Sequence, residues 1–480
     1  MEIHQWFAMG SLGIVVNIIL VIFLIFFERK NPSTTWAWLF ILIFIPIIGF
    51  ILYLLFGLNL NRQKLSNKKL IDDTSKNNYF KKLKEQNQYD ISSIKNKDVI
   101  LMNYNNSNSI YSEENNVEIY FDGNSLFDDI IKAINSAKEY IHIEFYIFRS
   151  DSIGSKILDV LYEKAKEGVE IKLLVDAMGN SIKRKYVKKL KMAGVKFSIF
   201  FPSVLHFLNL RLNYRNHRKI IVIDGQTSFL GGFNVGDEYL GKSTIGNWRD
   251  THLKIEGPAI NDLEERFLLD WTYSVGEELT DSHKKYMFKS KKLNNNLKTT
   301  PLQIVSSGPD HIQHHIKNTY MKIINNAKES IYIQSPYFVP DDSILDSLKL
   351  SSLSGVNVNL MLPGNPDHFF MPWVSNQYVE TLLDYGVNIY LYNNGFIHAK
   401  TIVADSNIAS VGTANMDIRS FSLNFETNAV LYDEDIAQNL EKQFKTDLEH
   451  CIKLDKQKFR ERSIITRFFE AIFRLLSPIM

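Results

Sequence analysis

Two histidine–lysine pairs are the residues of this 480-residue chain whose types and spacing can do chemistry. His217 and Lys219 open the stretch His217-Arg218-Lys219-Ile220-Ile221-Val222-Ile223-Asp224, followed by Gly231-Gly232-Phe233-Asn234. His398 and Lys400 open His398-Ala399-Lys400-Thr401-Ile402-Val403-Ala404-Asp405, followed by Gly412-Thr413-Ala414-Asn415. Both copies read HxKxxxxD with a Gly and an Asn at matched distances. Residues two apart on an extended strand share a face, so each His and Lys point the same way at the head of a β-branched run. One such pair alone reads as an ordinary strand end; a second copy with the same downstream spacing argues for a paired site.

Displacement at a phosphodiester phosphorus needs a nucleophile, a proton donor for the leaving alkoxide, and positive charge on the non-bridging oxygens. Two HxK pairs supply all three. One neutral imidazole can attack to form a covalent phosphohistidine, while the other, protonated, serves the departing alcohol and then takes a proton from the acceptor. That division predicts environments that push the two histidine pKa values apart. Lys219 and Lys400 are expected to clamp the phosphate, with Asn234 and Asn415 adding hydrogen bonds, the work a metal often does elsewhere. No HExxH, Cys/His cluster or Asp-rich loop is evident, so neither a metal nor a cofactor is expected. Asp224 and Asp405 complete each motif seven residues after the His, on the opposite pleat of a regular strand. They are expected to organise the motif's turn or the lobe contact rather than touch phosphate.

The duplicated motif resembles that of the phospholipase D superfamily, whose two HKD motifs meet at a pseudo-twofold axis in one active site. With two apolar N-terminal segments, the chain is similar to the bacterial cardiolipin synthases over essentially its whole length. The resemblance implies an α/β fold of two pseudo-symmetric phospholipase D-like lobes, mixed sheets flanked by helices, packed sheet to sheet behind a transmembrane helical hairpin. It implies His217 as nucleophile and His398 as general acid/base, without a metal. It also places a carboxylate near Trp248-Arg249-Asp250 and Phe425-Glu426, so Asp250 and Glu426 are expected to orient the imidazoles; an ordinary strand-end acid is the other reading. The implied reaction is phosphatidyl transfer between two phosphatidylglycerol molecules, giving cardiolipin and glycerol. A hydrolytic phospholipase D, or transfer to another alcohol, would carry the same motifs. A non-catalytic membrane scaffold fits less well, because both His–Lys pairs are intact.

The elements that must position these residues repeat as well. Residues 131–143 and 321–333 match as a helix running into a strand, and Gly168 and Gly194 are echoed by Gly355 and Gly386 before buried strands. This alternation is α/β patterning. The first half spans 110–281 and the second 301–458, joined by a basic linker over 282–300. An apolar excess over 201–214, with no second-half equivalent, either lines a lipid-acyl groove or folds down as core. Tyr146 and Tyr337 are expected where strand ends can rim the site, either touching the glycerol or packing as aromatics. His311 and His315, four apart, read as a solvated helix face rather than a metal pair.

Residues 1–60 read as a membrane hairpin with uncharged helices over about 6–27 and 36–58, followed by a polar linker over 61–109. A re-entrant hairpin fits the same residues. Arg62, Lys64, Lys68 and Lys69 after the second span, against Arg29 and Lys30 between the spans, favour a multi-pass cell-membrane protein with a cytoplasmic body. Residues 459–480 form an amphipathic helix, either interfacial or packed on the body, with Arg460, Arg467 and Arg474 on one side. A formal charge of +2 gives no case for nucleic acid, and a single cysteine, Cys451, leaves no internal disulfide. Membrane lipid, phosphatidylglycerol above all, is the expected partner.

Overall fold

The computed structural model describes residues 21–22, 32–45, 49, 53, 94–201, 214–286, 299–311, 313–368 and 370–474. After helices α1 (Pro32–Phe44) and α2 (Lys97–Ser107), the first lobe runs β1 (Asn116–Tyr120), α3 (Gly123–Ser136), β2 (Tyr140–Phe145), α4 (Ser152–Lys166), β3 (Glu170–Asp176), α5 (Arg184–Met192) and β4 (Lys196–Phe200). It continues with β5 (Arg215–Asn216), β6 (Lys219–Ile223), β7 (Thr227–Gly231), β8 (Trp248–Arg249), β9 (His252–Glu256) and α6 (Ile260–Val275). The second lobe begins with β10 (Leu302–Ser307), α7 (His315–Asn326), β11 (Ser330–Gln334), β12 (Phe338–Val339), α8 (Asp342–Leu353), β13 (Asn357–Pro363), α9 (Met371–Asp384) and β14 (Asn388–Tyr392). It ends with β15 (Phe396–Ile397), β16 (Thr401–Ala404), β17 (Ile408–Gly412), β18 (Met416–Asp417), α10 (Ile418–Ser422), β19 (Asn424–Leu431), α11 (Glu434–Leu448), β20 (Cys451–Lys453), α12 (Lys456–Arg460) and α13 (Ile464–Arg474).

The duplication read from sequence is a duplication of sheets. The first sheet has the order β1-β9-β7-β6-β2-β3-β4, and the second repeats it as β10-β19-β17-β16-β11-β13-β14, with β20 added at the edge. In both, the motif strand (β6 or β16) lies antiparallel to the central strand (β2 or β11), which is parallel to the next (β3 or β13). Parallel neighbours need helical crossovers, and the two that leave the central strands start alike: Asp151 before α4 and Asp341 before α8 each accept a backbone N–H three residues on.

The strands are apolar on both faces because both faces are covered. On β6, Ile221 and Ile223 join the first lobe's own core while Ile220 and Val222 join a core shared between lobes; on β16, Ile402 faces its own lobe and Val403 the shared core. That shared core draws in Phe267 and Trp271 from α6 and Phe444 from α11. Phe201 and Tyr214, the described ends of the 201–214 excess, are buried there, and residues 202–213 lie outside the described residues.

Two expectations about the flanks change or stay open. The C-terminal segment is two helices rather than one: α12 ends at Arg460, and Ser463 Oγ caps a new start by accepting from Thr466 N at 3.1 Å. One side of α13 docks on α9, with Phe473 and Phe469 against Trp373 at 4.9 and 5.9 Å between ring centres, while Ile464, Ile465 and Phe468 are exposed. At the N-terminus, α1 overlaps the second expected span; most of both spans lies outside the described residues, and among described residues no helix is long and apolar enough to cross a membrane.

Candidate active site

Each motif is hung on the other lobe. The residues just before His217 form β5, which pairs in parallel with the start of β19; those before His398 form β15, which pairs in parallel with β8. His217 N–H donates to the Phe425 carbonyl at 2.9 Å, and His398 N–H to the Arg249 carbonyl at 2.7 Å. The next residue on each host strand carries a carboxylate. Glu426 therefore meets His217 Nδ1 at 2.9 and 3.0 Å, and Asp250 meets His398 Nδ1 at 2.5 Å. The allegiance is crossed: the acid following the first motif serves the second histidine, and the reverse. With Nδ1 engaged, Nε2 is the nitrogen left for chemistry.

Both histidines line one cavity of about 470 Å³, together with Asn234, Asn415, Tyr146, Tyr337, Trp248, Arg215 and Arg419. Its wall is mostly apolar, as a small-ligand site requires. Tyr146 stands edge-on to His217 at 5.0 Å, and Trp248 packs on His398 at 5.3 Å.

The histidine pKa values are not pushed apart. Burial first, with Lys219 and Lys400 adding, lowers His217 to about 4; burial and then Lys400 lower His398 to about 3. Each carboxylate pulls its histidine back up, but less than burial pushes it down. Both imidazoles are neutral at pH 7 in this state. Burial also raises Asp250 and Glu426, yet their partners outweigh it and both sit below the usual carboxylate range: the Lys400 ammonium and the hydrogen bond to His398 for the first, the hydrogen bond to His217 and the Lys219 ammonium for the second.

The lysines differ from expectation too. Lys219 Nζ folds back to its own motif's His217 carbonyl at 2.7 Å, and Lys400 Nζ to the His398 carbonyl at 2.5 Å; neither is among the cavity-lining residues. They put positive charge behind the histidines instead of into the cavity. Burial, and then repulsion from Lys400, lowers Lys219 to about 7. Asn234 Oδ1 accepts from Ile147 N at 3.3 Å, and Asn415 Oδ1 is buried with no described partner.

Asp224 and Asp405, though part of the motif that carries the catalytic histidines, are not among the cavity-lining residues and organise the turn, as expected of them. Each sits in a left-handed turn (φ 52° and 49°) past the strand's far end. Asp224 accepts from the backbone N–H of Lys138, Glu139 and Tyr140 at 2.8–2.9 Å, and Asp405 from Lys328, Glu329 and Ser330 at 2.8–3.0 Å. They tie the motif strand to the start of the central strand. His315 is corrected: it is buried, its Nδ1 2.9 Å from the Ser306 carbonyl, and the helix begins at His315, so His311 is not on its face.

Sequence reasoning missed three neighbours. Tyr239, from the one-turn 3₁₀ helix Asp237–Leu240, places its hydroxyl 3.2 Å from His398 Nδ1. Thr413 Oγ1 donates to Glu426 at 2.5 Å. Its first-lobe counterpart is Gly232, where a Cβ would fall 2.0 Å from Asp250 Oδ1, so the shorter acid is backed by a residue with no side chain. Arg218, between His217 and Lys219, pairs with Asp270 of its own lobe and reaches across to Thr427 Oγ1 at 3.0 Å and the Ser307 carbonyl at 3.2 Å. Only the odd position of an arginine inside an apolar motif strand hinted at that staple.

A family model described as cardiolipin synthase, PLD-like domain, matches residues 130–271 and 320–448, and one described as phospholipase D-nuclease N-terminal matches 15–57. The chain is 58% identical over 456 residues to a cardiolipin synthase of Clostridium perfringens, covering 94% of this chain and 95% of that one. It is 46% identical over 482 residues to the major cardiolipin synthase ClsA of Bacillus subtilis, covering 98% of each. Among solved structures, phosphatidylserine synthase of Haemophilus influenzae superposes with a TM-score of 0.62 at 15% identity, covering 80% of this chain and all (100%) of that one, a likeness of fold.

Proposed function

The chain belongs to the cardiolipin synthase family of the phospholipase D superfamily, and from that premise we propose that it moves a phosphatidyl group from one phosphatidylglycerol to another, giving cardiolipin and glycerol. The observation that carries the reading is the convergence of two histidines from two lobes on one cavity, each with Nδ1 held by a buried carboxylate. In the first step His217 Nε2 bonds to phosphorus as the phosphorus–oxygen bond to glycerol breaks, and His398 gives that oxygen a proton. In the second, His398 takes the proton of the acceptor hydroxyl, whose oxygen bonds to phosphorus as the bond to His217 breaks. Because both imidazoles are neutral beforehand, His398 gains its proton with the arrival of the phosphodiester's negative charge. Asn234 and Asn415 hydrogen-bond the phosphate, and the lysines behind the histidines stabilise its charge without a metal.

Membrane lipid is the substrate phase. In this reading residues 6–27 and 36–58 anchor a multi-pass protein in the cell membrane with the lobes on the cytoplasmic side, and the exposed apolar side of α13 lies against the same lipid. The test is to incubate the full chain in phosphatidylglycerol micelles and separate the products. Cardiolipin and glycerol, lost in His217→Ala and in His398→Ala and unaffected by chelator, support the synthase. Phosphatidic acid alone makes the protein a hydrolase.

A further inference from the structure

The cavity is built from duplicated parts, yet its charges are not duplicated. The motif histidines and asparagines line it in matched pairs, whereas Arg215 and Arg419 line it without counterparts. Arg215 lies two residues before His217, on β5; two residues before His398, on β15, stands Phe396, which packs on Trp248 at 4.7 Å. Arg419 lies four residues after Asn415, in α10; four residues after Asn234 stands Glu238, 3.4 Å from Arg149. Neither Phe396 nor Glu238 is among the cavity-lining residues.

The two guanidiniums come from different lobes to one end of the cavity. Arg215 pairs in β5 with Asn424, just past α10, and Tyr146 feels both charges: burial raises its hydroxyl, Asp176 adds to that, and Arg215 and Arg419 oppose it. Burial lowers Arg215, Asp176 and Tyr146 pull it back, and Arg419 pushes it down again. The acids beside them build turns: Asp176 accepts from the backbone N–H of Met178 at 2.8 Å, Gly179 at 3.3 Å and Asn216 at 3.0 Å, and Asp417 from Ser420 N at 2.6 Å as the cap of α10. Two like charges at one end of a mostly apolar cavity repel, and an anion between them turns that repulsion into attraction. The planar fork of a guanidinium matches the oxygens of a phosphodiester.

In the phosphatidyl-transfer reading, on which this inference rests, the reacting phosphorus lies between the histidines and is served by groups that come in pairs. Charges that break the pairing suit a ligand group off that axis, and the reaction brings one. The acceptor phosphatidylglycerol carries its own phosphodiester, three carbons from the hydroxyl that attacks. We propose that Arg215 and Arg419 hold the phosphodiester of the acceptor lipid, and so select a phosphate-bearing glycerol over water and free alcohols. The acceptor's hydroxyl oxygen bonds to phosphorus as the bond to His217 breaks, its proton passes to His398, and the held phosphodiester keeps all its bonds. Water and glycerol reach the same phosphorus but gain nothing from the two cations, so the pair biases one intermediate toward synthesis.

The full chain, in phosphatidylglycerol micelles, is given isotopically labelled glycerol or labelled glycerol phosphate at equal concentration, and cardiolipin, labelled phosphatidylglycerol and labelled phosphatidylglycerol phosphate are counted. All three products draw on the same phosphatidyl-histidine, so their ratios report acceptor choice alone. The native protein is expected to favour glycerol phosphate over glycerol by about 10-fold or more, the phosphate acting here without acyl chains. Arg215→Gln and Arg419→Gln should each lower cardiolipin relative to labelled phosphatidylglycerol by about 10- to 100-fold, the range for a charge-assisted hydrogen bond, with Arg→Lys at either position falling between. Arg419, half-buried in α10, decides the matter if Arg215→Gln does not fold. An unchanged ratio in Arg419→Gln, an equal fall of both products there, as expected of a group that holds the reacting phosphate, or a native preference for glycerol over glycerol phosphate overturns the assignment. Absence of every transfer product from the native protein would instead overturn the phosphatidyl-transfer reading.

Discussion

Around His217 stand Glu426, the Thr413 hydroxyl behind it, and the edge of Tyr146; around His398 stand Asp250, the Tyr239 hydroxyl, Lys400 Nζ at 3.0 Å from Nδ1, and the rings of Trp248 and Phe396. The frame is the same in both lobes: a parallel two-residue pairing with the opposite lobe, an acid on the next residue, and an aspartate turn at the strand's far end. The filling differs. Duplication supplied two imidazoles in matched positions, and divergence of the residues around them gave each its own electrostatic setting. His398 sits closer to an ammonium and is walled by aromatics, while burial holds both imidazoles neutral at pH 7. The crossed frame also makes each half-site useless alone, since neither histidine has its orienting acid within its own lobe.

The comparison breaks first at the histidines. With the roles proposed, His217→Ala should lose ~10⁴-fold or more in turnover with every donor, since it removes the group that carries the intermediate. His398→Ala should lose ~10²–10⁴-fold with phosphatidylglycerol but recover most of its first step with a p-nitrophenyl phosphodiester, whose leaving group needs no proton. Equal rescue of both variants, followed by release of p-nitrophenol, would erase the distinction between the lobes.

The crossed acids sharpen it. Asp250→Asn should cost ~10²–10³-fold with phosphatidylglycerol and be partly rescued by the p-nitrophenyl donor, as His398→Ala is, whereas Glu426→Gln should fall similarly and not be rescued. The opposite pattern would mean that each acid serves the histidine of its own lobe.

A third contrast is in stability against pH. Both histidines have folded pKa values below the ordinary 6.5, so the unfolded chain takes up protons first as pH falls. Their contribution is complete above about 6.5 and is lost progressively toward about 4 for His217 and about 3 for His398. Between pH 7 and 4.5, His398→Asn should lose about 2–3 kcal/mol less stability than the native protein in denaturant titration; an unchanged slope would contradict the neutral, buried imidazole.

The smallest effects are expected where the lobes agree. Asp224→Ala and Asp405→Ala each remove an acceptor from three backbone N–H groups, and each should cost about 1–2 kcal/mol in stability with turnover per folded molecule within about twofold of native. A large loss of turnover in the folded variant would return them to the site.

Much of this was legible in one dimension because it is local or repeated. The HxKxxxxD pattern is a strand with a turn at its end, so its Asp could be assigned to the turn by pleat parity alone. Helix-to-strand repeats with glycine caps gave the two lobes. The identities of Asp250 and Glu426 as partners for histidine came from family resemblance, and nothing in their spacing says which histidine each meets. That depends on β5 crossing to β19 and β15 to β8, contacts between residues 209 and 148 positions apart. Burial likewise escapes the sequence: Lys219 reads as a phosphate clamp, yet at 0% exposure its ammonium turns to a backbone carbonyl. The sequence by itself determined which groups are available and that there are two of each, because residue type and strand period are local properties. Only the tertiary structure decided how they pair and which are neutral, because desolvation and cross-lobe pairing exist only once the two sheets have packed.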